Sequence, residues 1–317
     1  MPSPRQLMQS ALRSLLKFTR YETVPQDDLI LALRRVYQAR AISPLHFQEV
    51  VETIFRLARS DVRCETLLGS AQIQAGQNAI IRNLATTVIG SRRFLVLDVG
   101  AHDGWFIDRL LDETPDVKVV AFEPMPQMLP ELERRKARWP DLEIVPKAVG
   151  DEPGVLPLRV YPGLLGVSSL LDFEEGYRYF EGQFDPADVK TVDVPIVTVD
   201  DYFAANPACQ SFDYVAIKID VQGFEDRVLR GAAGLLASGR VRAILIEITL
   251  CPKYSGAWDY LRIVNHLEGL GFRLYDANPF YRQIGMTFQP TAIGRLTEMD
   301  CLFVHSSALH TTTNRAA

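Results

Sequence analysis

The chain has 317 residues, 47% apolar and 23% charged, and a net charge of −5. That is enough chain for one large or two modest domains with a substantial core, and the negative balance excludes a general nucleic-acid-binding surface. No apolar run reaches the roughly 18 residues of a membrane span and no signal-peptide pattern opens the chain, so a soluble, cytoplasmic protein is expected. Cys64, Cys209, Cys251 and Cys301 are scattered without Cys-x-x-Cys spacing. Neither a zinc site nor a disulfide framework is indicated. Charge is uneven: up to Arg93 there are 13 Lys and Arg against 7 Asp and Glu, and the excess beyond is acidic, as in two modules with different partners or with mutual attraction.

Residues 1–92 read as helices with short punctuation. Leu7, Met8, Ala11, Leu12, Leu15 and Leu16 recur at helical spacing, and after Pro25 the pattern resumes through Leu29, Ile30, Leu33 and Val36. Ser43 before Pro44 reads as an N-cap with proline at the first helical position, and a last helix covers about Ala79 to Ile89. This extension is expected to pack on the main domain, to act as a lid or to make a homodimer contact. Arg5, Arg13, Lys17 and Arg20 also admit a membrane-surface contact.

From Arg93 the pattern becomes alternating strands and helices, which predicts a doubly wound α/β domain over residues 93–308. Phe94 to Leu97 is a β-rich apolar run that meets Asp98 and then a turn carrying Gly100 and Gly104, with helical pattern resuming at Trp105. A second strand, Val117 to Phe122, ends at Glu123-Pro124; a helix from about Gln127 to Arg138 and a strand around Leu142 to Val145 follow. Val155 to Val160 and Lys190 to Val197 are extended segments. The acidic, aromatic loop between them, with Ser168, Ser169, Phe173, Tyr177, Tyr179 and Phe184, is expected to cover a site. Asp200 is expected to cap a short helix. Strand Tyr214 to Ile219 ends at Asp220, helix Glu225 to Leu236 leads to strand Ala243 to Ile248, and a helix from about Trp258 to Leu270 stops at Gly271. Phe272 to Asp276 and Cys301 to His305 are the last strands, and residues 309–317 form a polar tail expected to be disordered.

The chemistry concentrates at strand ends. Glycine at positions 100 and 104 lets backbone amides and a helix start approach a ligand. A dinucleotide fingerprint would read Gly-x-Gly-x-x-Gly, but here Asp98 precedes the first glycine and His102 stands between the two. A carboxylate at Asp98 repels a pyrophosphate and suits a cofactor bearing an ammonium and a sulfonium, which S-adenosylmethionine does. Glu123 lies 19 residues beyond Gly104, where an acid can accept hydrogen bonds from both ribose hydroxyls. Asp220 and Glu247 end the next two core strands. So many acids on one rim need cations among them, which the ligand and Lys218 can supply; Lys218 could equally form a structural ion pair with Glu247. His102 is either a donor or proton acceptor near the transferred group or a turn residue. The remaining histidines, His46, His266, His305 and His310, have no metal-site spacing.

Asp98-Val-Gly-Ala-His-Asp-Gly104, Phe122-Glu-Pro124, Ala148-Val-Gly150, Ser168-Ser-Leu170 and Ile217-Lys-Ile-Asp-Val-Gln-Gly-Phe-Glu225, in this order and spacing, resemble the FkbM-type S-adenosylmethionine-dependent methyltransferases over about residues 93 to 305. The resemblance implies a class I, Rossmann-like, mostly parallel seven-stranded sheet with an antiparallel final strand. It also implies O-methylation of a hydroxyl on a sugar, polyketide or other specialised metabolite, a small molecule or glycan. By carry-over, Asp98, Gly100 and Gly104 shape the methionine side of the cofactor site and Glu123 holds the ribose. Ala148 and Val149 border the adenine, Asp220 lies beside the methyl donor, and Ala101, His102, Pro124, Met125 and Ser168 complete the set. The catalytic candidates are Asp220 as general base, then Glu247 and His102, with Lys218 balancing charge; no metal site is expected. Two positions depart from the family pattern: His102 replaces the usual Asn, and Gln222, which cannot act as a base, replaces the usual Glu. A nicotinamide oxidoreductase on a similar sheet and a cofactor-binding interaction protein with weakened catalysis remain as other readings.

Overall fold

A computed structural model describes residues 75–90, 92–162, 164–175, 186–251, 253–284, 287–289 and 295–309. The helices expected before residue 75, the loop aromatics Tyr177, Tyr179 and Phe184, and the tail beyond 309 lie outside the described residues. The sheet and its helices belong to the unit Gly76–Phe288 with Ile293–Ala317, and it alone is described below.

The first described helix, α1, covers 75–83 and continues as a π-helical turn, Leu84–Ile89, closed by Gly90 at φ 56°. It is followed by β1 (Phe94–Val99), α2 (Trp105–Glu113), β2 (Lys118–Phe122), α3 (Leu129–Arg138) and β3 (Glu143–Val145). Three strands form a separate small sheet: β4 (Ala148–Val149), β5 (Gly154–Val160) and β6 (Lys190–Val197). Then come α4 (Val199–Ala205), α5 (Pro207–Gln210), β7 (Tyr214–Ile219), α6 (Glu225–Gly231), α7 (Ala233–Ala237), β8 (Val241–Thr249) and α8 (Tyr260–Gly269). The chain closes with β9 (Phe272–Ile284), β10 (Thr287–Gln289), β11 (Arg295–His305) and α9 (Ser306–Leu309).

The main sheet has the order β3-β2-β1-β7-β8-β11-β9-β10. β1 is parallel to both β2 and β7, β8 is parallel to β7, and β11 runs against its neighbours β8 and β9. The seven expected strands are present with the reversed strand where it was expected, and β10 adds a short eighth at the edge.

Central parallel strands are covered by helices on both faces and therefore read as continuous apolar runs. All six residues of β1 are buried. Its side chains alternate: Leu95, Leu97 and Val99 join a core with α4, α6, α7 and α8, whereas Phe94 and Val96 pack with Ile80, Leu84 and Ile89 of α1 and with Ile107 and Leu110 of α2. α1 thus forms part of the wall of the domain. Among the described residues no helix is long and apolar enough to cross a membrane.

Local departures from the expected elements have identifiable causes. The cap of α4 is Thr198, whose hydroxyl accepts from Asp201 N; the carboxylate of Asp200 instead accepts from Gly234 N at 2.7 Å and Leu235 N at 2.8 Å, capping α7 across the fold. The expected helix Glu225 to Leu236 is two helices that meet at Ala232. β9 and β11 are longer than expected because they support each other by antiparallel pairing, which needs no apolar alternation.

Candidate active site

Strand order reverses at β1: the chain moves outward to β2 and β3, then returns to place β7 on the other side. In open α/β sheets ligands bind in the crevice beyond the carboxyl ends of the strands at such a switch. A cavity of about 280 Å³ lies there. Gly100, Ala101, His102, Glu123, Pro124 and Met125 line it from the β1–β2 side, and Ala148, Val149 and Ser168 from the small sheet and the loop after it. Lys218, Asp220 and Glu247 line it from β7 and β8. Asp98 and Gly104, the remaining two expected site residues, lie behind its surface.

The turn after β1 is shaped by close backbone contacts. Gly100 N and Ala101 N both donate to Phe122 O at 3.0 Å, and Gly104 N closes the turn on Ala101 O at 2.8 Å. Gly100 has φ 80°, and a Cβ there would stand 1.9 Å from Asp220 O, so only glycine lets β1 and β7 approach in this way. Glu123 is 2% exposed; its Oε2 accepts from His102 N at 2.7 Å and its Oε1 from Met125 N at 2.8 Å. Burial raises its pKa, and the two backbone donors act against that rise. Each oxygen keeps a second lone pair for the cavity.

His102 sits in the left-handed region at φ 49°, which Asn, Asp and His enter more readily than other side chains. Its Nδ1 lies 3.8 Å from Asp103 Oδ1. That contact raises the imidazole pKa against the opposing effect of burial.

Lys218 lies directly across from Asp98 in the β1–β7 register. Its Nζ is 3.3 Å from Asp98 Oδ1 and 3.6 Å from Asp220 Oδ2, and it donates to Gly100 O at 2.5 Å. Burial alone would lower the Lys218 pKa, but Asp98 and Asp220 outweigh it and hold the ammonium charged. The alternative pairing of Lys218 with Glu247 does not occur. Lys218 is in register with Leu245, so Glu247 is two residues further along the neighbouring strand, whereas Asp98 is opposite. Apart from the ion pair, the oxygens of Asp98 have no hydrogen-bond partner.

Gln222 follows Asp220 in a tight turn and is, with His102, one of two non-glycine residues at positive φ among the described residues, at 54°. Its Nε2 donates to Asp220 Oδ1 at 3.0 Å and Glu247 Oε2 at 2.8 Å, while its Oε1 accepts from Lys253 Nζ at 3.0 Å and Tyr254 OH at 2.9 Å. Burial, then Asp220, push the Glu247 pKa well above the carboxylate range.

Three cavity or network residues escaped the sequence reading. Asp300 is in register with Glu247 across β8–β11 and lines the cavity, its pKa pushed up to about 7 by burial and then by Asp220. The strand read from Cys301 stopped one residue short of it. Lys253 and Tyr254 stand in the irregular segment after β8, where no periodicity marks them. Among the described residues no group of His, Cys, Asp or Glu is arranged to hold a metal ion.

Comparison with known proteins adds an independent line. The chain is 29% identical over 153 residues to the methyltransferase sdnD of Sordaria araneosa, a stretch that is 43% of this chain and 59% of that protein's length. Among solved structures, a putative methyltransferase from Thermobifida fusca aligns with a TM-score of 0.42 and 10% identity, over 80% of this chain and 87% of the other. The magnesium protoporphyrin IX methyltransferase of Synechocystis aligns at 0.39 and 11%, over 75% and 84%. The model of the methyltransferase FkbM domain matches residues 98–274, more than half of the chain and the segment that builds the glycine turn, Glu123 and the Asp220–Gln222 turn, and the protein therefore belongs to the FkbM-type S-adenosylmethionine-dependent methyltransferase family.

Proposed function

We propose that the protein transfers a methyl group to a hydroxyl oxygen of a small-molecule or glycan acceptor, such as a sugar, polyketide or other specialised metabolite, with Asp220 as the general base. The observation that carries the reading is the position of Asp220. It ends β7 with its backbone N–H on Val99 O at 3.1 Å, against the Gly100 turn, and its side chain is 37% exposed toward the cavity.

The residues present fit S-adenosylmethionine. Ser168 Oγ is buried on the cavity without a protein partner, and Glu123 faces the same space with lone pairs to spare. Phe122, Met125, Ala148, Val149 and Leu158 provide an apolar wall on which an adenine can lie. Gly100, Ala101 and His102 would hold the methionine end, Glu123 the ribose, and Pro124, Met125, Ala148 and Val149 the adenine. Asp98 and Gly104 support that cradle from behind, Asp98 through Lys218. Several carboxylates against one lysine suit a ligand with positive charge. The bound cofactor supplies a methyl group already activated by its sulfonium.

The protein's tasks are then to align the acceptor oxygen, exclude water and accept a proton. Asp220 takes the proton of the hydroxyl as the oxygen–carbon bond forms and the sulfur–carbon bond breaks, leaving a methyl ether and S-adenosylhomocysteine. Lys218, 3.6 Å from Asp220 Oδ2, sets a positive charge beside that carboxylate. Glu247, whose pKa is raised by burial and then by Asp220, is placed to orient the acceptor. The test is incubation with S-adenosylmethionine and a panel of hydroxyl compounds, read by mass spectrometry. A methyl ether and S-adenosylhomocysteine formed together support the reading. Binding of NAD in preference to S-adenosylhomocysteine in a thermal-shift comparison would overturn it.

A further inference from the structure

Gln222 combines features that do not occur together by chance in a surface turn. A glutamine at φ 54° is in a sparsely populated region that persists only where its surroundings impose it. What imposes it here is a fully used side chain: both amide hydrogens are directed at carboxylates, of Asp220 and Glu247, and the amide oxygen takes an ammonium and a phenol. The amide has one donor end and one acceptor end, and Lys253 and Tyr254 fix which end faces the acids. Lys253 is itself 3% exposed and held by Glu298 Oε1 at 2.9 Å. The backbone is tied as well: Ser169 Oγ donates to Gln222 O at 2.6 Å, and a Cβ on the next residue, Gly223, would stand 2.6 Å from the Tyr254 side chain.

We propose that Gln222 is a positioning residue that holds Asp220 and Glu247 as a hydrogen-bonded pair facing the acceptor and ties that pair, through Ser169 and Tyr254, to the segment 164–170 that lines the cavity. Two acids bridged by one NH2 group present their other oxygens to the cavity in a fixed relation. Tyr254 also stacks on Phe173 at 5.2 Å, and its OH stands 3.3 Å from Val167 O, so the loop segment carrying Ser168 and the acids share one anchor. An oxygen in place of the NH2 group would face two carboxylates at hydrogen-bond distance, and the three would repel unless one took up a proton. A glutamate at this position and the glutamine here are therefore chemically different devices.

The proposal rests on the methyltransferase reading for what the acids do, not for how they are held, and the test separates the two. Asp and Glu carboxyl carbons are followed by carbon-13 NMR from pH 4 to 9 in the intact protein, with Asp220→Asn and Glu247→Gln used for assignment, beside calorimetric titration with S-adenosylhomocysteine. The other titratable groups facing the pair are Lys218 on β7, Asp98 on β1, His102 in the turn after it, Asp300 and Glu298 on β11, Glu225 on α6, and Lys253 and Tyr254 after β8, and the variants at 222 leave all of them in place. In Gln222→Met, which keeps the length and removes the hydrogen bonds, the midpoints of Asp220 and Glu247 rise together by about one pH unit, because hydrogen bonds to the charged forms are lost. In Gln222→Glu they rise further. S-adenosylhomocysteine binding stays within about threefold in both, well under the tenfold that 1.4 kcal/mol would give. Should the variants at 222 fail to fold, Tyr254→Phe, which frees one side of the amide oxygen, gives a smaller rise of the same sign. Unaltered titration of both acids in Gln222→Met or, if that variant does not fold, in Tyr254→Phe overturns the proposal. Failure of the wild-type protein to bind S-adenosylhomocysteine overturns the cofactor assignment instead and leaves the carboxyl titration to judge Gln222.

Discussion

On the β1–β2 side of the cleft the groups that face the cavity come from one continuous turn, residues 99–103, with Glu123 and Met125 across from it, and much of the contact is backbone. On the β7–β8 side they are side chains of residues 218, 220, 222, 247 and 300 from three strands and a turn, held in a polar network anchored on Lys253 and Tyr254. Under the proposed function, the cofactor side is served by backbone geometry, which a few glycines secure, and the acceptor side by side chains, which can change without altering the fold.

The largest expected effect separates the two sides by function. Asp220→Asn keeps the shape and the Gln222 contact but removes the base, and turnover falls about 10²- to 10⁴-fold while S-adenosylhomocysteine binding stays near wild type. Unchanged turnover on an identified acceptor would remove Asp220 from its role. Glu123→Ala gives the reverse pattern. It strips acceptors from His102 N, Met125 N and the ribose, and S-adenosylhomocysteine binds about 10- to 100-fold more weakly, the size expected for hydrogen bonds to a charged group; calorimetry that shows no loss would refute the ribose assignment.

Gly100→Ala attacks the seam between the two sides. The new Cβ meets Asp220 O, at a φ that strains any L side chain, and a loss of about 1–3 kcal/mol in stability is expected, read as a lower Tm. A lower Tm with both cofactor binding and the Asp220 titration unaltered would show that the seam does not couple them.

A smaller, pH-dependent effect belongs to the acceptor side alone. Glu225 braces the turn that carries Gln222, its Oε1 accepting from Val221 N at 3.2 Å and Gly223 N at 3.1 Å, and burial pushes its pKa up to about 7. An acid whose pKa is higher in the folded than in the unfolded state adds stability that is complete below about 4.3 and is lost as pH rises through about 7. Glu225→Gln keeps the oxygen acceptor and abolishes the titration. Its Tm is therefore expected to gain on that of the wild type between about pH 5 and 7.5, and parallel Tm profiles would remove Glu225 as the cause. The smallest effect is expected from His102→Asn. Asparagine accepts the left-handed backbone and keeps the N–H on Glu123, so S-adenosylhomocysteine affinity should stay within about 0.5 kcal/mol of wild type. A tenfold change in turnover would make the imidazole more than a turn residue.

How legible each side was follows from how local it is. Asp98, Gly100 and Gly104 lie within one strand-turn-helix, and Glu123 is the acid that ends the next strand, so spacing alone indicated a nucleoside cradle. Asp220 and Glu247 were visible as strand-end acids, but their partners were not. Lys218 read as a cation among the rim acids or as the partner of Glu247, and only the β1–β7 and β7–β8 registers placed Asp98 opposite it. Asp200 looked like the cap of the helix beside it, and only the packing of α4 on α7 turned its carboxylate to the distant amides of Gly234 and Leu235. Gln222 was marked as a residue unable to act as a base; its actual use as a bridge depends on Lys253 and Tyr254, which arrive from about thirty residues away with no pattern to announce them.

The sequence by itself determined the alternating α/β domain, the order of its strand-end acids and the glycine turn, because hydrophobic period, turn chemistry and glycine are properties of short stretches of chain. The tertiary structure alone decided which acids share an ammonium, which are bridged by an amide and which face the cavity. Those relations are set by the register between strands distant in sequence and by burial, and a one-residue change of register would reassign every one of them.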